Sequence, residues 1–313
     1  MVLLLQYTLI YASVLAVVAI GGMFSERSGV INLGLEGCMV IGALCGALVM
    51  NFLPDSTGAF LTVFLTILAS VVGGIIYSFM LSVAAITFKA DQTITGTAMN
   101  ILAPALATVI VKSVTLNTGE KKATPYLYYI NAHDKFIMTI GKFELNWFMI
   151  LMVVVVAISF FVLYKTRFGL RLMSCGEHPQ ASASNGINVI KMRYVGVLIS
   201  GALAGLGGIA FINSATSSWP FDAGVLGFGF LSLAVMIFGK WKPLNIFYGA
   251  LLFGLFRALG NVYTGLDFLA NLKINAIIYS MLPYIVCLVV LMISSKNSRA
   301  PKAEGIPYDK GMR

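Results

Sequence analysis

The chain has 313 residues, of which 59% are apolar and 11% charged, with 21 Lys or Arg against 12 Asp or Glu. A soluble domain carries about 45–50% apolar and about 25% charged residues, and so few charges cannot cover a soluble surface. A soluble enzyme and a disordered or fibrous chain are therefore excluded, and an integral membrane protein remains. Helical spans need about 20 continuous apolar residues, whereas barrel strands alternate over about 10. Residues 60–88 contain no charge, and 146–164 and 195–212 read the same way, which specifies an all-α polytopic transmembrane bundle.

Nine apolar segments follow in chain order, at 3–23, 30–53, 59–88, 92–116, 145–164, 194–214, 224–239, 243–262 and 274–293, within a plausible range of 8–10 spans. The first has no basic residue before Arg27 and reads as a retained span rather than a signal peptide. The third is too long for a perpendicular span, so it tilts, bends near Gly73–Gly74 or continues beyond the membrane. The second and seventh are glycine-rich and polar, as interrupted or re-entrant helices are. Between the fifth and sixth lies a loop of nearly 30 residues, 165–193, longer than a connection requires. A tail, 294–313, ends the chain, and the whole reads as one permease-like domain, 1–313.

With alternating spans and a cytoplasmic C-terminus, the inside pieces hold 14 Lys or Arg and the outside pieces 5. That is the positive-inside bias. The net charge of +9 is accounted for by topology and by attraction to anionic membrane lipid, with no nucleic-acid partner required. The glycine-rich opening of the second segment, Gly29 to Gly37, is echoed by that of the seventh, Gly224 to Phe230. The echo lies five segments away, an odd number, so the halves 1–116 and 194–293 would form an inverted repeat with interrupted helices, as transporters use.

Glu36 is an acid inside an apolar run, one turn from Asn32. An ionisable group at that depth costs at least about 2.5–3.5 kcal/mol and faces a partner or a cavity. It either fastens two helices by hydrogen bonds or lines a polar route. Gln92, Thr93, Thr95 and Asn100 gather donors and acceptors at the start of the fourth segment, suited to a neutral hydroxylated or heteroaromatic solute. They equally suit helix-to-helix bonding, with Asp91 as an N-cap. Trp219, Pro220, Phe221 and Asp222 occupy an outer loop, followed by Phe228 and Phe230. The rings of Trp219, Phe221 and Phe228 are interfacial anchors or a stacking surface for a sugar or nucleobase. Gly201, Ala204, Gly205 and Gly208, with Gly42 and Gly46, are close-packing faces. Cys38, Cys45, Cys175 and Cys287 lack metal-ligand spacing and read as packing residues, with no catalytic group, metal or disulfide expected.

In the long loop, Pro179 can open a short helix, Glu177 favours its N-terminus and Gly186 can end it. Residues alone leave this either a docking element or an ordinary basic loop. Gly176, Glu177, Pro179, Ala181, Gly186 and Ile187, followed by Ser200-Gly201 and Ala204 to Gly208, resemble the coupling region of bacterial ATP-binding cassette importer permeases. That superfamily serves ribose, other monosaccharides, branched-chain amino acids and nucleosides. Ser25 to Gly37 and Arg299 to Asp309 are similar to its nucleoside branch, specifically the smaller permease of guanosine-type importers. His178 and Ser182 stand where that pattern has Asn and Ala.

The resemblance implies a passive pathway worked by other subunits. These are a second homologous permease, ATP-binding cassette ATPase domains (often two fused in one polypeptide) that hold ATP and Mg, and an extracellular substrate-binding lipoprotein. The chain itself has no GxxxxGK[ST] loop and is expected to bind no cofactor. It implies a multi-pass protein of the bacterial cytoplasmic membrane. A monosaccharide permease of the same superfamily and, from another class, an ion-coupled transporter using Glu36 stay open as alternatives.

Overall fold

The computed structural model describes residues 2–117, 124–129, 134–140, 143–215, 218–263, 276–294 and 299–311. They form an all-α membrane bundle: α1 (Val2–Arg27), α2 (Leu35–Phe52), α3 (Ala59–Ser82), α4 (Gln92–Asn117), α5 (Trp147–Lys165), α6 (Arg167–Glu177), α7 (Pro179–Ser184), α8 (Val189–Ala215), α9 (Phe228–Phe238), α10 (Pro243–Val262) and α11 (Ala276–Ser294). Seven of the described helices, α1 to α5, α8 and α10, are long and apolar enough to cross a membrane. The protein is accordingly a multi-pass membrane protein, and α11 adds a 19-residue apolar helix carrying Pro283.

Helix α1 is apolar all round, so it can bury on every side. It does so from Ile10 to Glu26, packed by α5, α8, α9 and α10. Helices α2, α3 and α8 make the second nucleus, and glycine permits it. A Cβ on Gly42 would lie 2.2 Å from the Gly205 Cα, and one on Gly74 2.1 Å from the Gly201 carbonyl oxygen. The small-residue face of α8 is thus the packing surface that its spacing indicates. Large apolar side chains on the outer faces of α3, α4 and α5, among them Phe60, Ile76, Val109 and Phe161, remain exposed, as surfaces against lipid or another subunit do.

Several segments differ from their sequence-level outlines. The second becomes helical only at Leu35, because residues 28–34 form an irregular turn. The third runs unbroken through Gly73 and Gly74, and its extra length ends in a π-helical turn, Val83–Thr87. The long loop is not a loop. Thr166 Oγ1 accepts the Gly169 N–H at 3.2 Å and starts α6, whose Gly169, Leu172 and Cys175 are buried at helical spacing. Glu177 therefore ends α6 rather than opening α7. Short strands also occur, β1 (Tyr126–Tyr128) pairing β4 (Ser218–Pro220) and β2 (Ile137–Ile140) pairing β3 (Phe143–Asn146), all antiparallel.

Helix α9 is short. Its 11 residues, at about 1.5 Å each, span about 16 Å, roughly half of a hydrocarbon core of about 30 Å. Before it, Gly224 (φ 60°), Leu226 (φ 53°) and Gly227 (φ 77°) take left-handed conformations and turn the chain sharply into the helix.

Candidate functional site

The site is built where the openings of α2 and α9 meet. A helix leaves its first N–H groups without intrahelical partners, and at membrane depth water does not supply them. Glu36, in the first turn of α2, does. Its Oε1 accepts the Gly227 N–H at 2.8 Å and its Oε2 the Gly229 N–H at 2.6 Å, and the Phe230 N–H also bonds the carboxylate. A carboxylate at a helix N-terminus is additionally favoured by the helix dipole. A Cβ on Gly229 would stand 2.6 Å from the Glu36 Cα, so this fit needs glycine there.

The irregular turn at 28–34 has the same problem, and α4 solves it. The Ile31 N–H is taken by Gln92 Oε1 at 2.7 Å and the Gly37 N–H by Asn100 Oδ1 at 2.8 Å. Asn100 Nδ2 in turn donates to the Leu33 carbonyl at 2.8 Å, and the Tyr77 hydroxyl to the Met99 carbonyl at 2.6 Å. Buried Asn32 donates to Ser200 Oγ at 2.8 Å, joining the turn to α8. Asp91 caps α4 through the N–H groups of Thr93 and Ile94, as its position suggests. Thr93 is exposed and Thr95 half-buried, the latter bonded to its own helix through the Asp91 carbonyl.

A groove of about 450 Å³ opens over this junction, lined in part by Glu36, Thr97, Asn100, Asp222, Leu226 and Phe230. Glu36 and Asn100 are thus the two sequence-level candidates that the fold brings to one surface. Trp219, Phe221 and Phe228 are buried instead. Trp219 donates through Nε1 to the Gly224 carbonyl at 2.9 Å and meets Phe211 edge-on, and Phe211 also lies against Phe228. These rings hold the loop before α9 rather than face the groove. The exposed ring is Phe230, at 49%. Spacing could have indicated Thr97, a turn from Thr93. The choice between Phe228 and Phe230 depends on how α9 is rotated, which a sequence run of aromatics leaves open.

At the other end lie α6, α7 and the tail. Pro179 is the first residue of α7 and is buried; Gln180, Ala181 and Ser184 are exposed, and Gly186 (φ 78°) follows in a left-handed turn. Ile187 N–H bonds the Ser182 carbonyl at 3.1 Å. Gly176 rests on the end of α1, where a Cβ would sit 2.3 Å from the Arg27 carbonyl oxygen. The tail is stapled across these pieces. Ala303 N–H bonds the Gly176 carbonyl at 2.8 Å, Gly305 N–H the Gly29 carbonyl at 3.2 Å, and Arg193 Nη1 the Ile306 carbonyl at 2.8 Å. Lys89 pairs with Asp309 at 2.7 Å. The Glu304 and Glu26 carboxyls share a hydrogen bond, and Trp241 Nε1 donates to Glu26 at 2.5 Å. Burial pushes the Glu304 carboxyl up to about 7, with the bond to Glu26 acting against it. Between α7 and the tail lies a cavity of about 530 Å³ bordered by Gln180, Gly186, Asn188, Tyr308 and Lys310.

Comparison with known proteins adds independent findings. A family described as "Branched-chain amino acid transport system / permease component" matches residues 4–292. The guanosine ABC transporter permease protein NupQ of Bacillus subtilis is 39% identical, over 98% of this chain and 96% of its own length. The nucleoside ABC transporter permease protein NupC of Lactococcus lactis is 38% identical, over 96% and 95%. A nucleoside ABC transporter permease protein of the same Lactococcus, NupB, is 23% identical over 78% of this chain and 68% of its own length.

Proposed function

The chain belongs to the family of branched-chain amino acid transport system permease components, and from that membership we propose that it is the membrane-spanning permease subunit of an ATP-driven nucleoside importer. The observation that carries the substrate is the near full-length similarity to NupQ and NupC, whose names specify guanosine and nucleosides. Other subunits complete the machine. A second, non-identical permease pairs with this one, in keeping with the occurrence of both NupC and NupB in one organism. ATP and Mg²⁺ are held and ATP is hydrolysed by cytoplasmic cassette domains, and an extracellular lipoprotein delivers the nucleoside. This chain contributes no catalytic residue and no cofactor.

The pathway follows the groove over Glu36 and Asn100, with Asn32 and Gln92 fixing the turn that presents them. The halves 1–116 and 194–293 are the inverted repeat, and the Glu36 bonds to Gly227 and Gly229 join the two at the openings of α2 and α9. Residues 176–188 dock on the cassette domains on the cytoplasmic side, where the C-terminus also lies. ATP binding moves α7. Because Gly176 packs on Arg27 and is tied through the tail to Gly29, the displacement reaches the turn at 28–34 that leads into Glu36. Alternating access is then a shift between two states with different affinity for the closed cassette pair. The bonds from both Glu36 oxygens to backbone donors favour a helix-joining role for this carboxylate over an ion-coupling one.

The test is uptake by the purified complex in liposomes. Nucleoside should enter only with ATP on the cassette side and binding protein on the other. Uptake by this chain alone, driven by a proton or sodium gradient, overturns the proposal.

A further inference from the structure

Resting on the nucleoside reading, we propose that Asp222 and Phe230 are the specificity residues of the groove: Asp222 accepts the sugar hydroxyls, Phe230 stacks on the base, and the paired acidity rejects phosphorylated forms. Both Glu36 oxygens and both polar atoms of Asn100 already bond backbone groups. The Thr97 hydroxyl donates to the Thr93 and Ile94 carbonyls at 2.9 and 3.0 Å. Among the described groove residues, Asp222 is the exposed charged side chain whose carboxylate bonds no described residue. It stands in the short 3₁₀ turn Phe221–Ala223, which buried Phe221 and the Trp219 bond to Gly224 hold in place. A rigidly mounted free carboxylate is an acceptor-only group, and the chemistry complementary to it is a pair of neighbouring hydroxyl donors.

The apolar half of the surface is Phe230 together with Leu226, exposed by 49% and 46%. An aromatic face stacks on any base without choosing among them. A cavity of about 450 Å³ is within the size of small-molecule sites, about 300–1,000 Å³. The described lining contains no Lys, Arg or His beside Asp222 and Glu36. A nucleotide phosphate would meet like charge with no cation to compensate it, so neutral nucleosides pass and nucleotides do not.

The experiment uses the assembled importer in liposomes with ATP and its binding protein, so that every variant receives substrate from the same donor. Initial uptake is compared for guanosine and its 2′,3′-dideoxy analogue, with guanosine monophosphate as competitor. Asp222→Ala should lower the guanosine-to-dideoxy rate ratio about tenfold, the scale on which losing a hydrogen bond to a charged acceptor is felt, and Asp222→Glu should retain it. Phe230→Ala should slow both substrates about tenfold, a typical stacking loss, with recovery in Phe230→Trp. The monophosphate should compete in Asp222→Lys and not in the parent. An unchanged ratio in Asp222→Ala, or failure of Phe230→Trp to recover, overturns this assignment while leaving the nucleoside reading standing. Absence of ATP-dependent guanosine uptake by the parent overturns both.

Discussion

Glu36 closes the start of α9 with the same carboxylate that lines the groove. Replacing it by Gln keeps the shape but turns one acceptor into a donor facing a backbone N–H. A buried donor left unmatched costs about 1–3 kcal/mol. A thermal-shift measurement on the Glu36→Gln protein in detergent should therefore show a lowered midpoint, and an unaltered one would contradict the bonding described. Gly229→Ala attacks the same junction from the other side, with a Cβ 2.6 Å from Glu36. Overpacking of this kind costs about 1–3 kcal/mol. Gly58→Ala, where a Cβ meets nothing within 4 Å, is the matched control and should leave the midpoint unmoved. The anomaly of Glu36 was legible from its apolar surroundings. Its partners were not, since Gly227 and Gly229 lie about 190 residues away and contribute only backbone.

Among elements, the tail changes most between sequence and structure. Its residues read as a family resemblance, yet they bridge α1, α6, α8 and the turn before α4. Glu304 gives this docking a pH dependence with a definite sign. Its carboxyl lies near 7 when docked against an ordinary value of 4.5, so the docked state holds the proton more tightly. The contribution is complete below the ordinary value and is lost as pH rises through about 7. Hydrogen exchange of Ala303 and Gly305 amides should thus be better protected at about pH 6 than at about pH 8, after correction for intrinsic rates. Glu304→Gln should flatten the difference, while a tail equally protected at both values would refute it. Helix α7 supports a second expectation. Gly186 is exposed with open space around it, so Gly186→Trp meets no clash and carries only the strain of the left-handed backbone there (φ 78°), about 1–2 kcal/mol, which should leave the protein in the membrane. It should nevertheless release ATP hydrolysis from nucleoside uptake, measured as ATPase rate against transport in the same vesicles. Coupled activity in that variant would remove α7 from the docking role.

For the whole molecule, the distribution of basic residues predicts an orientation that accessibility can check. A tag after residue 313 should be reached only from the cytoplasm, and a cysteine at Tyr126, in β1, only from outside; the opposite pattern would invert the topology. The cysteine-free background needs four replacements, Cys38, Cys45, Cys175 and Cys287, all free. The exposed apolar faces of α3, α4 and α5 fit an embedded protein with room for lipid and a second permease.

By itself the sequence determined the membrane class, the spanning helices and most of their approximate ends, the short helix opened by Pro179, and the family, but not the helix Arg167–Glu177 inside the long connection. All follow from composition, hydrophobic run length and local turn chemistry, which neighbouring residues decide among themselves. The tertiary structure decided what polar residues are for. Gln92 and Asn100 serve the backbone of the turn at 28–34, Trp219, Phe221 and Phe228 are packed away, Phe230 is exposed, and the tail is a staple. The physical reason is common to these cases. A buried donor or acceptor must find a partner wherever the fold puts one, and helix rotation selects which side chain of a run reaches a cavity. Neither is encoded in spacing along a single segment.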